Sequence, residues 1–321
     1  MFDMAKTAAK IVDDILQVKE GETIVIVHDT YVPEKITYLL AFITSARGAS
    51  PVLVKETAHI IGGQEPSKPV AAALLNCDAA IMQCKYALVH TNGFRKALEA
   101  GVRLVDMWGV TEDMMLEGGL LADVAEVNSV TGRIGSILKS STTARLTTPS
   151  GTDLSVDIKG RPVIALGAGP AKPGEFCALP GGEVTVSPIE GSAKGILVDP
   201  FLLERREIGY RRDPLKIQVQ DGMVKDISGG REARALIDLL DKMGQSARNI
   251  AEFAIGTNAW CRPYESFREA KKTLGTAHVA LGDNKTLGGN VDSPMHMDMI
   301  FEHPTVVFDD KVVLRDGKLV V

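Results

Sequence analysis

From Thr23 to Leu138 the chain alternates short β-branched runs with helix-spaced segments, and no other feature limits its fold as tightly. Thr23 to His28 is a Val/Ile run, Glu34 to Arg47 carries apolar residues at helical spacing, Pro51 to Lys55 is strand-like and Lys68 to Leu75 is helical again. Asp78 to Gln83, Gly93 to Ala100, Arg103 to Met107 and a long helix near Leu120 to Leu138 continue the rhythm. Strands that each need a helical crossover before the next imply a parallel sheet with helices on its faces. Residues 1–140 are therefore expected to form a Rossmann-like α/β domain. The loop after the first strand, His28-Asp29-Thr30-Tyr31-Val32-Pro33, has no glycine-rich turn to admit a pyrophosphate, and no Walker-type lysine loop occurs. A nucleotide site is not expected.

After Ser140 the grammar changes. Ala144 to Thr148, Asp153 to Ile158, Val184 to Ser187, Gly195 to Asp199 and Leu215 to Val219 are short β-rich runs divided by Gly and Pro turns. One helix intervenes at Arg231 to Met243, where Ala233, Leu236, Ile237, Leu240 and Met243 form an apolar stripe. The closing segment PTVVFDDKVVLRDGKLVV reads as successive hairpins turning at Asp-Asp and Asp-Gly. Residues 141–321 are expected to form an α+β domain, mainly antiparallel, that carries the functional site.

A formal charge of -5 and a pI near 5.8, with no basic cluster, argue against nucleic acid and for a small-molecule or peptide partner. No apolar run reaches transmembrane length, and the amphipathic opening MFDMAKTAAKIVDDILQVKEGE lacks the form of a signal peptide, so no membrane partner and a cytoplasmic setting are expected. Cys77, Cys84, Cys177 and Cys261 show no CxxC spacing and read as buried thiols.

The stretch from Gly275 to Ile300 concentrates the chemistry. It sets His278 in an alternating apolar run, turns at Gly282, Gly288 and Gly289, and delivers His296 and Asp298 two positions apart. In an extended segment His296 and Asp298 share one face while Met295, Met297 and Met299 take the other, so the methionines read as packing. Two imidazoles and a carboxylate suit Zn, Mn, Co or non-haem Fe(II). Two glutamates also stand where a strand should bury apolar groups: Glu183, directly after Gly181-Gly182, and Glu252, between Ala251 and Phe253. Each is expected either to face solvent or to be paired with a cation. Asn258, Trp260, Arg262 and Tyr264 follow Glu252 and are candidates to line a pocket, as are His28 and His90 at the ends of strand-like runs. The remaining scatter of charges reads as solvated surface.

The segments LPGGEVTVSP, EFAIGTN, HVALGDN and HMD, in that order, resemble the C-terminal half of the aminopeptidase T-like metallo-aminopeptidases. The resemblance covers residues 140–310 by motif and the whole chain by general plan. It implies an N-terminal α/β domain, a C-terminal domain with a two-metal site, and a homodimer or higher homo-oligomer. It carries the family's metal-binding residues onto Glu183, Glu252, His278, His296 and Asp298. It also implies a hydrolase that releases N-terminal residues with metal-activated water, Glu183 or Glu252 moving the proton. The family's tyrosine ligand after the first histidine has no counterpart, since the chain there reads Asp283-Asn284-Lys285-Thr286. That departure opens a second reading. The dihydroxypyridine ring-cleaving dioxygenases are similar to the same peptidase fold, and a single Fe(II) would there sit on His278, His296 and Asp298, with Glu183 and Glu252 facing substrate. A metal-stabilised binding protein without chemistry is the third.

Overall fold

The computed structural model describes residues 2–60, 62–89, 91–205 and 207–321. The chain runs through α1 (Phe2–Lys10), a π-helical turn at Ile11–Ile15, β1 (Thr23–Asp29), α2 (Glu34–Ala46), β2 (Ser50–Glu56), α3 (Lys68–Leu75), β3 (Ala79–Gln83), α4 (Asn92–Glu99) and β4 (Arg103–Asp106). It continues through α5 (Val124–Lys139), β5 (Thr143–Thr147), β6 (Asp153–Asp157), β7 (Val163–Leu166), β8 (Phe176–Ala178), β9 (Glu183–Val186), β10 (Lys194–Val198), β11 (Leu202–Leu203) and β12 (Gly209–Tyr210). It ends with β13 (Leu215–Gln220), β14 (Met223–Gly229), α6 (Arg231–Met243), β15 (Ile250–Gly256), α7 (Phe267–Ala270), β16 (Ala277–Gly282), β17 (His296–Phe301), β18 (Thr305–Phe308), β19 (Lys311–Arg315) and β20 (Lys318–Leu319).

Two compact units emerge, one of residues 1–128 with 166–181 and the other of 129–165 with 182–321. The first holds a parallel sheet in the order β2-β1-β3-β4-β8. Its strands alternate between two cores. Ile24, Ile26, Ile81 and Val105 pack with Met4, Ala8, Ile36 and Leu40 of α1 and α2, whereas Val25, Val27, Ala80, Met82 and Leu104 pack with Val70, Leu74, Phe94 and Ala97 of α3 and α4. Burial on both faces is why these strands read as continuous apolar runs. The division of the chain differs from the boundary expected at residue 140: α5 passes between the units at Asn128, and the fifth parallel strand, β8, returns from beyond it. Three residues flanked by glycine and proline carry too little periodicity to announce a strand.

The second unit is built on two sheets with antiparallel pairings. One runs β14-β13-β10-β6-β5-β18-β19-β20, the other β12-β11-β17-β16-β15-β9-β7. A single core joins them, with Leu146, Leu154, Val156 and Ile217 from the first and Val186, Phe253, Val279 and Met299 from the second. Leu236 and Leu240 of α6 complete it. The C-terminal hairpins turn at Asp309 and Asp316, both at positive φ (50° and 49°), a conformation that aspartate tolerates.

Candidate metal centre

Four neighbouring strands, in the order β17-β16-β15-β9, carry all five expected ligands on one face. Register decides this. Glu252 lies opposite Ala280, which lies opposite Asp298, so the three form one cross-strand row. His278 is two residues from Ala280 and His296 two from Asp298, while Glu183 is opposite Gly256 at the end of β15. With a period of two, these side chains all point the same way. Their odd-parity neighbours, Val184, Phe253, Val279, Leu281, Met297 and Met299, enter the core behind. The methionines therefore do pack.

Two local devices make the face possible. A bulge shifts the register between Ile250 and Glu252, so Ile250 pairs with Leu281 on the core side while Glu252 emerges on the other. An unbroken ladder would have sent both the same way. At Gly282, φ is +104° and an added Cβ would lie 2.0 Å from the Met295 carbonyl oxygen, so only glycine lets β17 start close against the end of β16.

The ligand atoms converge as two overlapping trios, Glu183–Glu252–His278 and Glu252–His296–Asp298, each within 4.8 Å. Glu252 belongs to both. His278 Nε2 lies 3.4 Å from Glu183 Oε2 and 3.7 Å from Glu252 Oε1. His296 Nε2 lies 2.8 Å from Glu252 Oε2 and 3.2 Å from Asp298 Oδ1. All but His296 are fully buried. His296 Nδ1 is 2.8 Å from the Asp283 carbonyl oxygen, which can only accept, so Nδ1 carries a proton and Nε2 is the nitrogen turned towards Glu252 and Asp298. Thr185 donates to Glu252 Oε1.

Two consecutive lysines close the cluster. Lys271 Nζ lies 2.6 Å from Asp298 Oδ2 and 2.9 Å from Glu204 Oε2. Lys272 Nζ lies 2.8 Å from Glu183 Oε2 and is itself fully buried. They follow α7, and the Lys272 carbonyl is fixed by the Asn258 N–H at 2.9 Å.

The field inside follows from these pairings. Burial opposes charge on both imidazoles, yet the surrounding carboxylates prevail: His278 is raised above the usual histidine range and His296 well above it. Burial likewise opposes ionisation of Asp298, but Lys271 and the histidines hold it well below the carboxylate range. Glu252 is lowered despite its burial by His278 and His296. Burial pushes Glu204 up to about 7 against the pull of Lys271.

Whether these residues fit a divalent ion can be judged from the polar atoms that protein alone leaves over. Both ring nitrogens of His278 and Asp298 Oδ1 are buried without a hydrogen bond, while Glu183 Oε2 is ion-paired with Lys272. Buried polar atoms without partners are expensive, and His278 and Asp298 are both potential ligands facing one small region. The donor set is nitrogen and oxygen only, which suits the borderline and hard first-row dications. The fit is good.

The expectation for Glu183 and Glu252 resolves in favour of the paired alternative, not the solvated one. The reading of the remaining charges as solvated surface is corrected at REAKK, where Arg268, Glu269 and Lys272 are buried. Nothing in that stretch separates a buried lysine from an exposed one, because the signal lies in the carboxylates of distant strands. Of the suggested pocket residues, Trp260 and Tyr264 are largely exposed, and Asn258 is buried, its side chain accepting from the Trp260 N–H and its own N–H donating to the Lys272 carbonyl. His28 is buried on β1 in the other unit, and His90 lies outside the described residues. All four cysteines are free thiols, three of them buried, and burial pushes Cys261 well above the thiol range. No described helix is long and apolar enough to cross a membrane.

A 2,5-dihydroxypyridine 5,6-dioxygenase from Pseudomonas putida (strain KT2440) is 24% identical over 199 residues, which is 57% of this chain and 56% of that relative's length. The solved structure of 2,5-dihydroxypyridine dioxygenase from Pseudomonas putida KT2440 superposes with a TM-score of 0.86 at 18% identity, covering 99% of this chain and 96% of that one. Wild-type AmpT from Thermus thermophilus superposes at 0.69 and 16% identity, covering 100% and 99%. Both likenesses establish the fold. The family model of NicX, 2,5-dihydroxypyridine 5,6-dioxygenase, matches residues 12–321, and the chain belongs to that family.

Proposed function

We propose that this protein is an iron(II)-dependent dioxygenase that opens a dihydroxylated pyridine-like ring, the second of the two enzyme readings raised by the sequence. The observation that carries it is the family match along residues 12–321. The two-histidine, one-carboxylate set offered by His278, His296 and Asp298 supports it, because that set leaves adjacent coordination positions open. A bound Fe(II) would supply the redox chemistry by which O₂ and an aromatic diol react, both oxygen atoms entering the opened product.

The chain's own residues prepare that chemistry. Asp283 fixes the tautomer and aim of His296 through Nδ1. Lys271 takes Asp298 Oδ2 and leaves Oδ1 for the ion. Glu252, within reach of both imidazoles and held by Thr185, is the carboxylate left to face the ring hydroxyls. Ala254 and Ala280, on the same face between the ligands, keep the floor of the site shallow.

The hydrolase reading rests on two observations, the AmpT likeness and the sharing of Glu252 between two trios as a bridging carboxylate would be shared. One pair of assays separates the two. Protein purified without oxygen and loaded with Fe(II) should consume one O₂ per molecule of 2,5-dihydroxypyridine and leave an aminoacyl anilide intact. Anilide cleavage by the zinc, cobalt or manganese form, with no O₂ uptake by the iron form, would reverse the assignment.

A further inference from the structure

We infer that Arg205 receives an anionic group of the substrate, so that the ring this site prefers carries a carboxylate besides its hydroxyls. The inference rests on the dioxygenase reading above and narrows its substrate class. Arginine is seldom withdrawn from water without a partner. Arg103, Arg161, Arg211, Arg248 and Arg262 are each partly buried, and each reaches a carboxylate. Arg205 is partly buried as well, yet among the described residues its guanidinium meets no carboxylate, and its Nε is fully buried without a hydrogen bond. Glu204, its neighbour in the chain, is already taken by Lys271.

Its place in the chain is beside the candidate metal centre. β11 lies antiparallel to β17, with Leu202 opposite Ile300 and Leu203 opposite Met299. The Glu204 N–H continues that ladder to the Asp298 carbonyl at 2.8 Å, so Arg205 comes next, towards the His296 end of β17. That end is the open one: the His296 side chain is 29% exposed, against 2% for Asp298 and 6% for Glu252. A ring approaching the cluster from solvent comes in on that side. The backbone of Arg205 is fixed there, its N–H donating to the Leu203 carbonyl at 2.6 Å and its own carbonyl accepting from Ile208 and Gly209 at 3.0 and 2.7 Å. The long side chain therefore has a firm root at the tip of the β11–β12 hairpin. Lys271 and Lys272 cannot serve a substrate anion, since both are committed to Glu204, Asp298 and Glu183. A guanidinium offers a carboxylate two parallel N–H bonds and full opposite charge, which no neutral ring substituent can match.

The test separates a ligand's charge from its shape by binding, without turnover. Wild type, Arg205→Gln and Arg205→Lys, loaded with Fe(II) and kept free of oxygen, would be titrated calorimetrically with 2,5-dihydroxypyridines carrying a carboxylate at each free ring carbon in turn, and with the matching carboxamides. Wild type should bind the best carboxylate about 10–100-fold more tightly than its carboxamide, the worth of a charge-assisted pair. Arg205→Gln should erase that difference, and Arg205→Lys, which keeps the charge but not the fork, should retain part of it. Equal wild-type affinity for acid and amide, or a preference that survives in Arg205→Gln, would overturn the inference, while O₂ uptake with 2,5-dihydroxypyridine would keep the dioxygenase reading. Binding of no ring, together with no O₂ uptake, would remove both. Should Arg205→Gln not fold, a wild-type preference reduced in Arg205→Lys supports the inference and one unchanged there ends it.

Discussion

His28 and His278 look alike in the sequence: each is a single imidazole buried in an apolar strand, TIVIVHD in one unit and AHVALG in the other. Their surroundings differ. Opposite His28 in the parallel ladder stand Lys55 and Gln83, and burial together with Lys55 lowers its pKa, so that it stays neutral. Around His278 stand Glu183, Glu252 and Asp298, and its pKa is raised despite burial. An identical local pattern thus yields a structural imidazole in one sheet and a candidate ligand in the other. What separates them is the charge on strands remote in sequence.

Replacing each histidine should widen that contrast most. His278→Ala should abolish stoichiometric metal binding and reduce O₂ uptake by more than the roughly 10–100-fold typical of losing only an outer partner. His28→Ala should leave metal content intact and lower unfolding stability by about 1–3 kcal/mol in urea titrations, as large-to-small changes at buried positions do. Loss of metal from the His28 variant would dissolve the distinction.

Lys271→Met probes the charge that sets the second environment. It leaves Asp298 and Glu204 buried without their cation. Metal-free protein should lose about 3–5 kcal/mol, the usual consequence of breaking one side of a buried pair. Isothermal titration should show Fe(II) or Mn(II) affinity falling by roughly 10–100-fold. Unchanged affinity would remove Lys271 from any role in orienting Asp298.

The two histidine environments should also tilt stability in opposite directions with pH. His278 and His296 have raised pKa values in the fold, so their contribution is fully present below about 6.5, the unfolded value, and is lost as pH rises through the folded values. His28 is lowered, so its contribution is present above that value and is lost as pH falls below it. Urea unfolding of metal-stripped His28→Gln and His278→Gln across about pH 5 to 9 should therefore give difference curves of opposite slope. Metal affinity should rise with pH and binding should release protons, since the ion must displace them from the imidazoles. Parallel curves would show that the surrounding charges do not govern either group.

The smallest effect is expected one step further out. Asn284 donates to Ser187 and Glu190 and accepts from the Val291 N–H, bracing the loop whose Asp283 carbonyl aims His296. Asn284→Ala should lower stability by about 1–3 kcal/mol and weaken metal binding only modestly. The counterpart in the other unit is Asp29, whose carboxylate accepts from the N–H groups of Tyr31, Val32 and Lys85. Asp29→Asn should affect stability alone. An equal loss of metal in both variants would erase the difference between the loops.

Much of the site was legible in the order of residues. Period-two alternation placed His296 and Asp298 opposite the methionines, and glutamates inside apolar runs announced that something had to pair with them. Helices such as Lys68–Leu75 and Arg231–Met243 emerged at their expected bounds because a 3.6-residue stripe is written locally. The short strand β8, the passage of α5 between units and the pairing of Lys271 and Lys272 with buried carboxylates were not legible, since each depends on partners far away along the chain.

By itself, then, the sequence determined the strand and helix periods and, through them, which side chains share a face, because dihedral preference and hydrophobic alternation act over a few residues. The tertiary structure alone decided the bulge that turns Glu252 out of the core, the lysine set against Glu183, and which of two similar buried histidines meets carboxylates. Those outcomes depend on register and on electrostatics between strands, and both act across space between residues that no local pattern connects.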